Sequence, residues 1–156
     1  MITRRTALWA GGSALLLAGC GGRPPRTIAG DPQDVRILAA AFETERAQVA
    51  LYEAGVRLSD APILERILEQ EREHAAAIEE AIRELGGRPA PKRPIAHYSL
   101  ARGLSAWRRD AIKREAQWSA GYAAMIPKLR NPRLRSTFGA LMTAEAEHAV
   151  ALEIRG

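Results

Sequence analysis

The word Glu-Arg-Glu-His, Glu71 to His74, returns 74 residues later as Glu-Ala-Glu-His, Glu145 to His148, in a chain with only three histidines. Within each word the second glutamate-to-histidine pairing is local, but Glu71 with His74, and Glu145 with His148, lie three apart and share one face of a helix. Those faces are otherwise apolar. Leu64, Ile67, Glu71, His74, Ile78, Ala81 and Leu85 advance by threes and fours, as do Leu134, Phe138, Leu141, Glu145, His148 and Leu152. Two further stripes follow the same rule: Leu38, Phe42, Glu45, Val49, Tyr52 and Val56, then Leu104, Arg108, Ala111, Glu115, Trp118, Tyr122 and Met125. Each of four helices therefore turns one glutamate toward its neighbours. Arg108 fits such a stripe only near a bundle end.

Punctuation between the stripes sets the topology. Asp31-Pro32 reads as an N-cap followed by proline in the first turn, opening a helix from Pro32 to Leu58. Ser59-Asp60 offers the next cap, with Pro62 behind it, and Gly86-Gly87 closes the second helix. The proline-rich stretch through His97 is a crossover, after which Ser99 can cap a third helix running to about Ile126. Asn131-Pro132 opens a fourth, to about Ile154. Short links after the first and third helices make antiparallel neighbours. The expected fold is all-α: an antiparallel four-helix bundle made of two helical hairpins, over residues 32–156. A composition 47 % apolar but only 5 % aromatic, rich in Ala and Leu, agrees with helix.

The hairpins repeat one another. Glu45 precedes Tyr52 by seven residues and Glu115 precedes Tyr122 by seven, the second pair 70 residues after the first. At about 1.5 Å per residue, the glutamates of each hairpin lie at similar heights. Four carboxylates in one hydrophobic layer repel one another and lose hydration, and an unpaired buried ion costs several kcal/mol (order of magnitude). Two divalent cations relieve both problems. One Glu from each of two helices, with Glu-x-x-His from each of the others, is the ligand set of dimetal carboxylate bundles. The expected ligands are Glu45, Glu71, His74, Glu115, Glu145 and His148. Oxygen-rich, nitrogen-completed ligation suits iron, then manganese, ahead of copper or a thiolate-loving metal. Glu43, Glu53, Glu73 and Glu147 read as surface groups, His97 as exposed, Trp107 and Trp118 as packing.

This pattern resembles the ferritin-like superfamily, and the doubled Glu-x6-Tyr with Glu-x-x-His is similar to its rubrerythrin branch, from about Asp31 to Ile154. The resemblance implies that Glu71 and Glu145 bridge the metals and that Tyr52 and Tyr122 donate hydrogen bonds to ligating carboxylates. The chain departs from that branch in three ways. Its Tyr-to-Glu spacings of 19 and 23 residues are short. Its single cysteine cannot build a rubredoxin centre. Trp118 stands where the branch adds a glutamate to the third helix.

The beginning of the chain reads as an address. A charged start and an apolar run from about Ala7 to Ala18, too short to span a bilayer, end in Leu17-Ala18-Gly19-Cys20, which resembles a bacterial lipobox. Thr3-Arg4-Arg5-Thr6-Ala7-Leu8 resembles a twin-arginine signal with Ala in the favoured Phe position. The expectation is a signal peptide over 1–19, lipidation at Cys20 and a flexible tether over 20–31. It places the protein outside the cytoplasmic membrane, on its outer face or in the periplasm, anchored through lipid. Without residues 1–19, which hold Arg4 and Arg5 and no acid, the formal charge falls from +5 to +3. Such a balance, in that compartment, points to a solvated helix face with weak attraction to anionic lipid rather than to nucleic acid. The functional expectation is a carboxylate-bridged di-iron protein reacting with oxygen or peroxide, ferroxidase- or peroxidase-like, as a tethered monomer or homodimer. The alternative is a metal-free ferritin-like binding or scaffold module of the envelope.

Overall fold

The computed structural model describes residues 30–91 and 103–155. The leader, Cys20, all but the last residues of the tether, and the crossover positions His97 and Ser99 lie outside the described residues. Four helices follow in order: α1, Pro32–Leu58; α2, Pro62–Glu84; α3, Gly103–Met125; and α4, Pro132–Arg155. A 3-10 turn over Ile126–Lys128 extends α3, so Pro127 tightens its last turn instead of lying beyond it. Among the described residues there is no strand, and no helix is long and apolar enough to cross a membrane. The most extensive packing joins α1 to α2 and α3 to α4, with the hairpins meeting chiefly through α1 and α3 and through α2 and α4.

Local chemistry explains the helix ends. Asp31 accepts from the Gln33 amide at 2.8 Å, and Pro32 occupies the first helical position. The cap of α2 is Ala61 rather than Ser59 or Asp60, because Pro62 starts the helix and the residue before it takes the cap. Ser59 Oγ instead accepts from the Ala61 amide at 3.3 Å. After α2, Gly86 enters the left-handed region at φ +75, its amide bonding Arg83 O and that of Gly87 bonding Ile82 O, both at 2.8 Å. This is the Schellman arrangement, and the positive φ explains the glycine. Asn131 caps α4 by accepting from Arg133 N at 2.9 Å.

A buried carboxylate one turn before Leu38 on the α1 stripe fixes one bundle end. Asp34, 2 % exposed, accepts from the amides of Arg130 (2.8 Å) and Asn131 (3.0 Å), clamping the α3–α4 turn to the start of α1. An Arg130–Asp31 ion pair at 3.2 Å and a bond from Gln33 Nε2 to Lys128 O at 2.7 Å close the same joint.

The apolar core falls into two clusters. One gathers Leu38, Phe42, Ile78, Ile82, Leu134 and Phe138 around Tyr122. The other gathers Leu51, Leu64, Ile67, Trp107 and Leu152 around Tyr52. The stripe of α3 differs from expectation at its start: Leu104 is 38 % exposed, while Trp107 is buried and donates from Nε1 to Leu51 O at 2.9 Å. Gly55 makes this possible, since a Cβ there would lie 2.3 Å from the Trp107 ring. Arg108 comes within 3.5 Å of the Glu153 carbonyl, near the last turn of α4.

Candidate metal centre

A polar layer separates the two apolar clusters. Glu45 and Gln48 from α1, Glu71 from α2, Glu115 from α3 and Glu145 from α4 are fully buried, His148 is 4 % exposed, and His74 is partly exposed. The inward spacing of each helix delivers these side chains to one level. Glu45, Glu71, His74 and Glu145 each offer a ligand atom within 4.8 Å of the others, and so do Glu71, Glu115, Glu145 and His148. Glu71 and Glu145 are common to both groups.

The tyrosines cross between hairpins. Tyr52 of α1 donates to Glu115 Oε1 of α3, and Tyr122 of α3 donates to Glu45 Oε1 of α1. Burial, together with the carboxylates, pushes both phenols far above their usual range, so they act as proton-bearing donors. Each ring is wedged edge-on: Tyr52 against Trp107 with centroids 5.7 Å apart, Tyr122 against Phe138 at 5.4 Å. One oxygen of each outer glutamate is thereby tied back. The other, Glu45 Oε2 or Glu115 Oε2, is buried without a hydrogen-bond partner.

The histidines face the same space. His74 Nδ1 lies 3.5 Å from Glu71 Oε2, 3.7 Å from Glu45 Oε2 and 3.9 Å from Glu145 Oε1. His148 Nδ1 lies 2.8 Å from Glu71 Oε1 and 3.9 Å from Glu115 Oε2. The far nitrogen of His148, Nε2, is 3.2 Å from Gln70 Oε1; donation there leaves Nδ1 with a bare lone pair. The 2.8 Å approach is out of line for a hydrogen bond, and Nδ1 of both histidines has no such partner. Two lone-pair atoms that close repel unless a proton or cation serves both.

Without a cation, protons must fill that role. Burial first, then the facing carboxylates, pushes Glu45 up to about 9 and Glu145 up to about 12. Glu115 is also raised, chiefly by burial. Burial acts on Glu71 in the same sense, but the contacts with His148 and His74 outweigh it and hold its carboxyl below the usual range. Even so, five buried atoms remain orphaned: Glu45 Oε2, His74 Nδ1, Glu115 Oε2, Glu145 Oε1 and His148 Nδ1. Buried polar groups are nearly always partnered, so five convergent exceptions in one layer need an explanation. Carboxylate oxygens with two imidazole nitrogens are the donor set for iron or manganese, and the residues fit a pair of such ions.

Every residue singled out in the sequence for this centre lies in the layer or bonds to it. Glu73 and Glu147 are exposed. Two polar residues escaped the sequence reading. Gln48 sits three residues after Glu45 and four before Tyr52, a spacing that could have revealed it, but Val49 fits the stripe equally well. Gln70, adjacent to Glu71, carries no signal of its own.

Comparison with known proteins agrees with this architecture. A solved structure described as a conserved hypothetical protein from Mycobacterium tuberculosis superimposes with a TM-score of 0.67 at 19 % identity, covering 78 % of this chain and 95 % of that one. That likeness concerns the fold alone. No curated protein matches the sequence closely enough to count as a relative. The rubrerythrin family model matches residues 36–153, a span containing all four helices' inward glutamates, both histidines and both tyrosines. The chain belongs to the rubrerythrin family.

Proposed function

We propose that this protein is an exported, lipid-anchored di-iron protein that reacts with oxygen or peroxide, in the manner of a ferroxidase or peroxidase. The observation that carries the reading is the set of five orphaned, convergent donor atoms, all from the six expected ligands. In this reading Glu71 and Glu145, common to the two groups, would serve both metals, while Glu45 with His74 and Glu115 with His148 would complete the opposite ends. Tyr122 and Tyr52 hold Glu45 and Glu115 by one oxygen each and leave the other free to bind. A bound iron pair would supply electrons for reducing oxygen or peroxide, to be restored by an external donor. The apolar clusters on either side limit water in the layer and strengthen its electrostatics.

Export rests on the lipobox-like and twin-arginine-like residues before Cys20. A twin-arginine route suits a metalloprotein because it carries folded chains. Labelling with a radioactive fatty acid should mark the wild type and not Cys20→Ser. The metal reading is tested by anaerobic addition of ferrous iron, then air: about two irons per chain and a ferric carboxylate absorption band are expected. No bound iron or manganese contradicts it. One observation favours the metal-free alternative, namely that the tyrosine bonds to Glu115 and Glu45 already stabilise part of the layer, while burial pushes the Glu45 and Glu145 carboxyls up toward the neutral form. It leaves the five orphaned atoms unexplained.

A further inference from the structure

Gln48 is fully buried in the carboxylate layer, and its amide, unlike the carboxylates, imidazoles and phenols around it, does not titrate. Its amide atoms are assigned by what they face. With oxygen toward the carboxylates, acceptor would meet acceptor. With nitrogen there, it lies 2.6 Å from Glu145 Oε2 and 3.1 and 3.0 Å from Glu71 Oε1 and Oε2. A carboxamide nitrogen has two hydrogens. One serves Glu145, and the two oxygens of Glu71 share the other. Both recipients are the carboxylates common to the two ligand groups.

The internal repeat shows that this is a feature of one hairpin. The 70-residue offset that relates Glu45 to Glu115 and Tyr52 to Tyr122 relates Gln48 to Trp118, whose indole has a single N–H and so cannot donate two bonds. Gln48 therefore makes the centre lopsided.

We infer that Gln48 is a positioning residue: its two N–H groups set the orientation of Glu71 and Glu145 and so the way these carboxylates link the two metals. This rests on the dimetal reading, and it adds a residue to it that touches no metal. An amide donates without adding charge, so it orients two anions while leaving four carboxylates to balance two divalent ions.

The test uses the full chain loaded anaerobically with Mn²⁺, whose paired ions give an exchange-coupled electron paramagnetic resonance signal. Gln48→Leu should still fold and take up metal, but with about tenfold weaker binding of the second equivalent and an altered coupled signal. Gln48→Glu keeps size and polarity but cannot donate when ionised, and should fail to restore the wild-type signal. A wild-type coupled signal in either variant overturns the inference. Should Gln48→Leu not fold, the wild type still decides through nuclear magnetic resonance of the Gln48 side-chain amide in metal-free protein. Downfield, slowly exchanging N–H protons are expected, and solvent-like ones overturn the proposal. That reading does not require metal, so it separates failure of the Gln48 role from failure of the dimetal reading, which shows as wild type binding no Mn²⁺.

Discussion

His148 and His74 occupy equivalent places in two copies of one motif, yet their surroundings differ. The side chain of His148 is 5 % exposed, and its outer nitrogen rests on Gln70. The side chain of His74 is 21 % exposed, and the position that would support it, 74 residues after Gln70, is Ala144. Likewise α1 contributes Gln48 to the layer where α3 has Trp118 at the matching place. What both halves keep is the carboxylate set and the crossed tyrosines. The duplication thus preserves the charge and proton arrangement, while the groups around it have diverged to make a held end at His148 and an open end at His74.

Removing what the halves share should have the largest effect. Glu71→Leu with Glu145→Leu should abolish binding of both metals and, when combined with Gln48→Leu so that no buried amide loses its acceptors, stabilise the metal-free bundle by about 1–4 kcal/mol. Titration calorimetry and thermal unfolding check both outcomes. Equal binding in the double variant would mean that the halves do not share ligands.

Separating the halves comes next. Gln70→Ala should weaken metal at the His148 end about tenfold, since the imidazole loses its outer partner. Ala144→Gln should tighten the His74 end and narrow the gap between two stepwise affinities. If neither substitution changes that gap, the contrast between held and open ends is wrong. By contrast Tyr52→Phe and Tyr122→Phe should act alike, each lowering affinity several-fold, because each frees one oxygen of one outer glutamate.

The most general effect is in pH, and it acts on the metal-free fold rather than on metal binding. Glu45 and Glu145 have folded-state values of about 9 and about 12, both above the ordinary 4.5, so the metal-free folded chain binds more protons than the unfolded one. Their contribution is fully present below the ordinary value and is lost as pH rises, with a slope of up to about 1.4 kcal/mol per pH unit for each proton. Glu71, held low, opposes this only on the acid side, where its contribution is lost as pH falls. Metal-free protein should therefore melt at lower temperature at about pH 8 than at about pH 5. Excess Mn²⁺ should raise the melting temperature more at the higher pH, because the ligands must release protons to bind. A metal-free melting temperature that climbs over this range would contradict the buried, protonated layer.

The bundle and its polar layer were legible because helical periodicity exposes a charged residue in an apolar stripe. Glu45, Glu71, Glu115 and Glu145 stand out for that reason, and Pro32, Pro62 and Pro132 mark helix starts independently of packing. Residues whose role depends on distant partners were not legible. Asp34 looks like any first-turn acid, and only the fold brings the Arg130 and Asn131 amides to it across 96 and 97 residues of sequence. Gln48 sits where two stripes are equally plausible, and polarity alone assigns it to the surface. Trp107 reads as packing and is buried, but that it takes the place of Leu104, because Gly55 opens room on another helix, is a fact of tertiary contact.

Whether two cations share Glu71 and Glu145 is decided by anomalous scattering from crystals of iron- or manganese-loaded protein. Two peaks are predicted, one among Glu45, Glu71, His74 and Glu145 and the other among Glu71, Glu115, Glu145 and His148. A single peak, a peak elsewhere, or none in metal-soaked crystals would contradict it.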